Sequence, residues 1–394
     1  MRLRRGRLKR RSDDGLTLGK SPDHKEEVPL EVLVIGGTQL TGLHLVPRLL
    51  EAGHRVTVLS RGQKRPGFLS QVEHVPADRF IQGLAAVVGR RFDATIDNIA
   101  YEPAHIRQVA ESLGPGAGHY IFNSTAFVAD PVGDWLKPIT DEDVDAAVAG
   151  ADVSGAATLP PESHARYVAD KQACEQVLRS GDLPFPWTII RPVSVYGATD
   201  PQYRLGWWVA RGLDGHPILV PDDFPEIHGA RNNLAVYAAD VAAAQMACLG
   251  NTASVGRSYL LAQDEAPSIP ELVAAIARAG GKEPPELVSI PRPVANATPL
   301  AGNPAGVYRV PILWPGVRVL SERAKQELGW KPTRLADWLG EVVPSLAAAH
   351  ARGEPWPAPI GYDQRPMEIR VARLWQQALG AAAGALQEAF RRRV

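Results

Sequence analysis

Between the apolar run EVLVIG and a helical stretch opening at Leu43, the chain reads GGTQLTG, residues 36–42. A strand that runs straight into a glycine turn and then a helix is compatible with few folds. The helix start aims backbone N–H groups and the positive end of its dipole at one spot, which suits a pyrophosphate. Glycines there form the tight turn and let phosphate and a neighbouring strand come close. Gly36, Gly37 and Gly42 occupy glycine positions of such a turn, and Thr38, Gln39 and Leu40 complete it. Gln39 stands where a further glycine is usual. Its side chain is compatible with phosphate if its backbone angles are ordinary, and its amide can donate a hydrogen bond.

The same alternation continues. Leu43–Ala52 reads as a helix ended by Gly53, RVTVLS as a second strand and VEHVPAD as a third. A helix is expected near 80–90, then ATIDNIA, HYIFNST and PWTIIRP as the fourth, fifth and sixth strands. Short buried strands alternating with helices predict an α/β doubly wound parallel sheet, the Rossmann architecture. Past Gly197 the alternation weakens into aromatic and Pro/Gly-rich sequence, then a helix at AADVAAAQMACLG. We expect a dinucleotide-binding domain over 30–197 and a smaller α/β substrate-binding part over 198–348, with 226–250 returning to the first core. EPWPAPIGYDQRP reads as a proline-rich linker within 349–367. The last segment, 368–394, predicts a helix with Ile369, Ala372, Trp375, Leu379, Leu386 and Phe390 near one face, docked on the body or on a second subunit.

The end of the second strand bears on the cofactor. An acid there would hold the ribose hydroxyls of NAD, and a base suits the 2′-phosphate of NADP. The sequence has Leu59-Ser60-Arg61-Gly62 with Lys64 and Arg65 nearby and no acid, which leans to NADP over NAD. A solvated loop charge is the alternative for Arg61. Asp78, after the third strand, is placed either to meet the adenine amine or to cap a turn.

Downstream, SHARYVADKQACEQVL sets Tyr167 and Lys171 one helical turn apart on one face. A tyrosine of pKa about 10 is a poor base near neutrality, and an ammonium beside it favours the phenolate. Tyr167 would then exchange a proton with a substrate hydroxyl or carbonyl. The fifth strand ends in Asn123-Ser124-Thr125, and either Ser124 or Thr125 offers a hydroxyl to the same oxygen.

Composition narrows the rest. Lys+Arg and Asp+Glu both number 43 in 394 residues, so the overall charge points to no nucleic-acid partner. Seven of the first eleven residues are basic. Residues 1–29 read as a disordered tail or a start codon placed too early, with a nucleic-acid or membrane arm as the alternative. No apolar run of about 20 residues suggests a membrane span. Cys174 and Cys248 have no metal or disulfide spacing, as in a reduced cytoplasmic enzyme without a metal.

Taken with IDNIAY at 96–101, FNSTAFVAD at 122–130, YVADK, IIRPVSVYG at 189–197, AADVAAA at 238–244 and ERAKQELGWKPTRLADWL at 322–339, the chain resembles the extended short-chain dehydrogenase/reductase superfamily, the NAD-dependent epimerase/dehydratase group. The resemblance covers roughly residues 30–348. It implies that Thr125 is the hydroxyl donor, Tyr167 the acid/base and Lys171 its partner, able to hydrogen-bond the nicotinamide ribose. It also implies that Gly36, Gly37 and Gly42 line the pyrophosphate, that Ala100 passes the nicotinamide side, and that Arg191, Pro192 and Val193 flank the nicotinamide pocket. A small-molecule substrate and a homodimer through the Tyr167 helix are implied as well.

Three departures stand out. Gln39 replaces a glycine, as in the branch resembling the chloroplast stem-loop-binding proteins. Thr125 lacks the following Asp-Glu pair of the 4,6-dehydratases. Ser194 and Asn233 stand where many sugar-nucleotide epimerases hold UDP phosphates, with Arg231 two residues away. Tyr203, Trp207, Trp208 and Phe224 suit a bulky ring-bearing substrate or a core. Two classes of function remain: hydride transfer at a secondary alcohol or ketone, as reductase or epimerase, and a nucleotide-binding regulator or RNA-associated protein without turnover.

Overall fold

The structure, a computed structural model, describes residues 28–391 apart from 130–136, 223–228, 230, 292, 294–316, 355 and 357–361. The basic tail and Phe224 therefore lie outside the described residues, as do the side chains of Leu386 and Phe390.

The first half runs β1 (Glu31–Ile35), α1 (Gly42–Glu51), β2 (Arg55–Ser60), β3 (Glu73–Pro76), β4 (Ala94–Asp97), α2 (Pro103–Leu113) and β5 (His119–Asn123). Then come α3 (Asp141–Gly150), α4 (His164–Arg179), β6 (Trp187–Pro192) and β7 (Ser194–Tyr196). The second half adds α5 (Arg204–Gly212), β8 (Ile218–Pro221), β9 (Ala235–Tyr237), α6 (Ala238–Cys248), β10 (Ser258–Leu261), α7 (Ile269–Ala279) and β11 (Leu287–Ile290). It closes with α8 (Glu322–Leu328), α9 (Leu335–Ala351) and α10 (Arg365–Arg391).

Seven strands form one parallel sheet in the order β10-β6-β5-β4-β1-β2-β3. The order reverses between β1 and β4, so the loops after those strands part and leave a crevice at their carboxyl ends. Val32, Val34, Ile96 and Ile121 face one buried layer, and Leu33, Ile35, Tyr120 and Phe122 the other. Burial on both faces explains why these strands read as continuous apolar runs.

Two sequence expectations fail here. No helix spans 80–90: Gly83 and Gly89 adopt left-handed backbone (φ +62° and +70°), leaving turns and one 3-10 turn at Ala85–Val87. The return to the first core also extends beyond 226–250. Strand β10 completes the central sheet, and Val317, Val319, Ala324 and Trp330 pack in the same layer as Val32 and Ile96. The Gly-Trp-x-Pro turn closes this region, with Gly329 left-handed (φ +62°) and Trp330 Nε1 donating to the Asp240 carbonyl at 2.8 Å.

A second core gathers α5, α7, α9, β8 and β11 around Trp207, Trp208 and Trp338. Helix α10 starts three residues before the expected 368 and α9 runs to Ala351, so helix occupies both ends of the supposed linker. The Arg211 guanidinium binds Glu368 at 2.5 Å, and Arg365 bridges Glu368 and Asp214 at 2.9 and 2.7 Å, fixing the start of α10. Ala372 is fully buried there, whereas Leu379, expected on the docked face, is 53% exposed.

Candidate active site

The glycine turn is built as packing requires. Gly36 sits at φ +81°, and a Cβ there would lie 2.7 Å from Ile99 Cγ2. A Cβ at Gly42 would collide with the Gly37 carbonyl, which is why the start of α1 can close against the turn. Gln39 keeps ordinary backbone angles. Among the described non-glycine residues, positive φ occurs only at Leu40 (+45°) and Tyr203 (+51°). The conformational demand therefore falls on Leu40, whose N–H donates to Thr199 Oγ1 at 3.2 Å.

A cleft of about 350 Å³ opens at the carboxyl ends of β1, β2 and β4. Gly36, Thr38, Gln39 and Leu40 line it, while Gly37 and Gly42 pack behind. At the end of β2, Arg61 and Lys64 line the cleft and are exposed, with no ion-pair partner for either among the described residues. The Ser60 hydroxyl is engaged with His74 Nε2 at 3.0 Å. Asp78 also lines the cleft, one carboxylate oxygen accepting the Phe80 N–H at 2.9 Å. Two buried polar atoms in the lining residues, Asn98 Nδ2 and Asn123 Oδ1, have no partner. A donor and an acceptor left unpaired cost free energy unless a ligand or water meets them. With the glycine cradle and the free cations, they fit a dinucleotide.

Helix α4 begins at the Ser163 cap, whose hydroxyl accepts the Arg166 N–H at 3.1 Å, and lines up Tyr167, Lys171 and Glu175. The Lys171 ammonium donates to the carbonyls of Ala100 (2.7 Å) and Asn123 (2.8 Å). It also lies over the rings of Tyr101 and Phe122, at 4.9 and 4.7 Å. Burial lowers its pKa to about 8. Burial likewise pushes the Tyr167 phenol up to about 12, opposed by a hydrogen bond with Thr125 and by the Arg204 charge. Desolvation is the largest influence on the phenol, and Thr125 and Arg204 work against it; the ammonium that the spacing sets one turn from Tyr167 is held by the Ala100 and Asn123 carbonyls. At neutral pH the arrangement is a protonated phenol on the same helix face as a charged ammonium. It is set to give a proton rather than take one.

Other expected residues go elsewhere. Ser124 donates to Glu175 Oε1 at 2.6 Å and is buried, so Thr125 alone offers a hydroxyl to Tyr167. The Arg191 guanidinium is fully buried against Glu175 (2.5 Å) and Asp145 (2.8 Å), turned away from the cleft. Pro192 and Val193 are buried and do not line the cleft; Val195 does. Trp207 and Trp208 are core residues. Asn233 binds Gln263 and Val319 backbone, and Arg231 pairs with Glu271 at 2.5 Å. Tyr101, whose ring lies 4.9 Å from the Lys171 ammonium and lines the cleft, is a site residue that the sequence analysis does not single out. Its neighbours Phe80 (6.3 Å) and Tyr167 (6.4 Å) come from other segments, so no local pattern announces it.

The cleft at the sheet's point of reversal, with a Tyr–Lys pair beside it, can be set against known proteins. No family model matches the chain. It is 28% identical over 323 residues to the chloroplast stem-loop binding protein of 41 kDa b of Arabidopsis thaliana, covering 77% of this chain and 75% of that one. It is also 28% identical over 243 residues to the 2′-dehydrokanamycin reductase of Streptomyces kanamyceticus, covering 59% of this chain and 61% of that enzyme. Among solved structures, UDP-glucose 4-epimerase from Bifidobacterium longum, in complex with NAD+ and UDP, superposes with a TM-score of 0.57 at 19% identity. That match covers 82% of this chain and 99% of the epimerase. The fold is the one such epimerase structures share. Within it, the carboxyl ends of β4 and β5 are where the orphaned Asn98 and Asn123 atoms and the Lys171 ammonium converge. Among the described residues no cluster of side chains could hold a metal ion, and no helix is long and apolar enough to cross a membrane.

Proposed function

We propose that this protein is a nicotinamide-dinucleotide-dependent oxidoreductase or epimerase acting at a secondary alcohol or its ketone. The observation that carries the reading is the buried Lys171 ammonium, held by the Ala100 and Asn123 carbonyls one turn of α4 beyond Tyr167, with the Thr125 hydroxyl at the end of β5 lowering the phenol against its burial. A bound nicotinamide supplies or accepts the hydride. In the reductive direction Thr125 and Tyr167 polarise the substrate oxygen, and the Tyr167 hydroxyl hands over its proton as the carbonyl becomes an alcohol. Lys171 stabilises the phenolate left behind. In the oxidative direction the same atoms move in reverse. The glycine turn, Arg61 and Asp78 would hold the dinucleotide, and Asn98 and Asn123 would find their missing partners on it.

NADP is the preferred form in this reading, because Arg61 and Lys64 are free at the ribose end of the cleft. Arg61→Ala is expected to weaken NADP binding about 10-fold or more while changing NAD less than two-fold, read by fluorescence titration with the reduced cofactors. Equal losses for both would remove Arg61 from this role. The regulator reading is supported by the name of the Arabidopsis relative and by the basic tail. The assembled hydroxyl, phenol and ammonium favour turnover, since binding alone has no need of them.

The pH dependence follows from Lys171. Its folded pKa, about 8, lies below the ordinary 10.5, so the ammonium is intact at neutrality and lost as pH rises through about 8. Reductive turnover is expected to be flat below pH 7 and to fall about ten-fold per pH unit well above 8. Lys171→Met should turn over slowly and lack that limb; a limb that survives the substitution assigns it to another group.

A further inference from the structure

Between β7 and α5 the chain folds a tight loop around one carboxylate. Asp200, 3% exposed, accepts the N–H groups of Gln202 (3.0 Å) and Arg204 (2.9 Å), and its own carbonyl accepts the N–H of Tyr203 at 3.0 Å. These bonds hold Tyr203 in left-handed backbone (φ +51°), which is unfavourable for a bulky side chain. What the strained loop presents is Arg204. Its Nη1 donates to Asp200 Oδ1 at 2.8 Å and to the Val195 carbonyl at 3.3 Å, which tethers it to a residue lining the cleft. Nε and Nη2, the other edge of the guanidinium, have no hydrogen-bond partner among the described residues. The side chain is 24% exposed.

The position of this charge is informative. Burial raises the phenols of Tyr101, Tyr167 and Tyr196, and the Arg204 charge opposes that rise at all three. The loop before Arg204 reaches the same cleft: Val195 and Pro201 line it together with Tyr101, whose ring lies 6.4 Å from that of Tyr167, where the proposed chemistry occurs. A guanidinium fixed by a carboxylate on one edge and open on the other is a fork for two oxygens of an oxyanion.

We infer that Arg204 is a substrate-binding residue that takes a carboxylate or phosphate lying a few bonds from the carbon that reacts. The inference rests on the reading of Thr125, Tyr167 and Lys171 as the reacting centre and specifies its substrate as anionic near that centre. A fixed anion at Arg204 would orient the alcohol or ketone toward Tyr167. Neutral substrates of the same shape would lose that anchor.

The test uses the full-length protein saturated with NADP, so that the glycine turn is occupied and competes for no added anion. Inorganic phosphate and acetate are titrated at constant ionic strength, following ¹³C-labelled tyrosine side chains by NMR. Wild type should show saturable shifts at Tyr101 and Tyr167, the tighter of the two anions naming the chemistry. Arg204→Met should weaken binding at least 10-fold with NADP affinity within two-fold, and Arg204→Lys, which keeps charge but not the fork, should fall between. If Arg204→Met fails to fold, the Arg204→Lys comparison decides. NADP saturation without saturable anion shifts, or anion affinity indifferent to Arg204, overturns the inference and leaves the proposed function standing. A protein that binds neither NADP nor NAD overturns both.

Discussion

Tyr167→Phe should lower turnover by roughly 10²–10⁴-fold, the range for removing a positioned general acid, and leave NADP affinity within a few-fold. The substitution deletes one hydroxyl and keeps the ring that packs 6.4 Å from Tyr101. Steady-state kinetics with a secondary alcohol or ketone series, alongside cofactor titration, reads both quantities. Turnover within a few-fold of wild type would show that the proton comes from elsewhere. A parallel loss of cofactor affinity would show that the ring, not the hydroxyl, matters.

The second large effect concerns the same helix two turns further on. Glu175→Ala should destabilise the fold by about 3–5 kcal/mol, because it strands a fully buried guanidinium. Arg191 and Glu175 are both without exposed side-chain surface, and Ser124 donates to the same carboxylate. Asp145, 2.8 Å from Arg191, would compensate in part, which places the loss nearer the lower end. Chemical denaturation monitored by tryptophan fluorescence measures it. A change below about 1 kcal/mol would mean that water reaches Arg191 once the carboxylate is gone. This ion pair lies under the active-site helix, so the order of Tyr167 and Lys171 depends on groups that never touch a ligand.

The strands of the dinucleotide-binding half were legible because each is a short apolar run bounded by turns, and burial on both faces leaves no ambiguity of side. One helix, α3, left little trace in the sequence for a physical reason. Helix α3 buries only Val144, Val148 and the carboxylate of Asp141, too few apolar positions to draw a periodic pattern. The helix expected near 80–90 had the pattern but not the backbone, since Gly83 and Gly89 turn it aside. Strand β10 joins its sheet through pairing with β6, a relation that no local pattern records. In the site, motif spacing located Thr125, Tyr167 and Lys171 together, but could not say which way a side chain turns. Ser124 and Arg191 turn inward because Glu175 and Asp145 wait there, contributed by α4 and α3. Arg204 went unremarked because its meaning depends on Asp200 and on the charge reaching Tyr167.

The single bond from the Leu40 N–H to Thr199 Oγ1 joins the glycine turn to the loop that carries Arg204. Two parts that would receive different molecules are therefore mechanically joined, and whatever settles one settles the other to the same degree. One neutral hydrogen bond contributes about 1 kcal/mol, so cooperation between the two occupants through this link is limited to about five-fold. Sequential loading at such a junction is a mild bias, and the traffic runs equally in both directions.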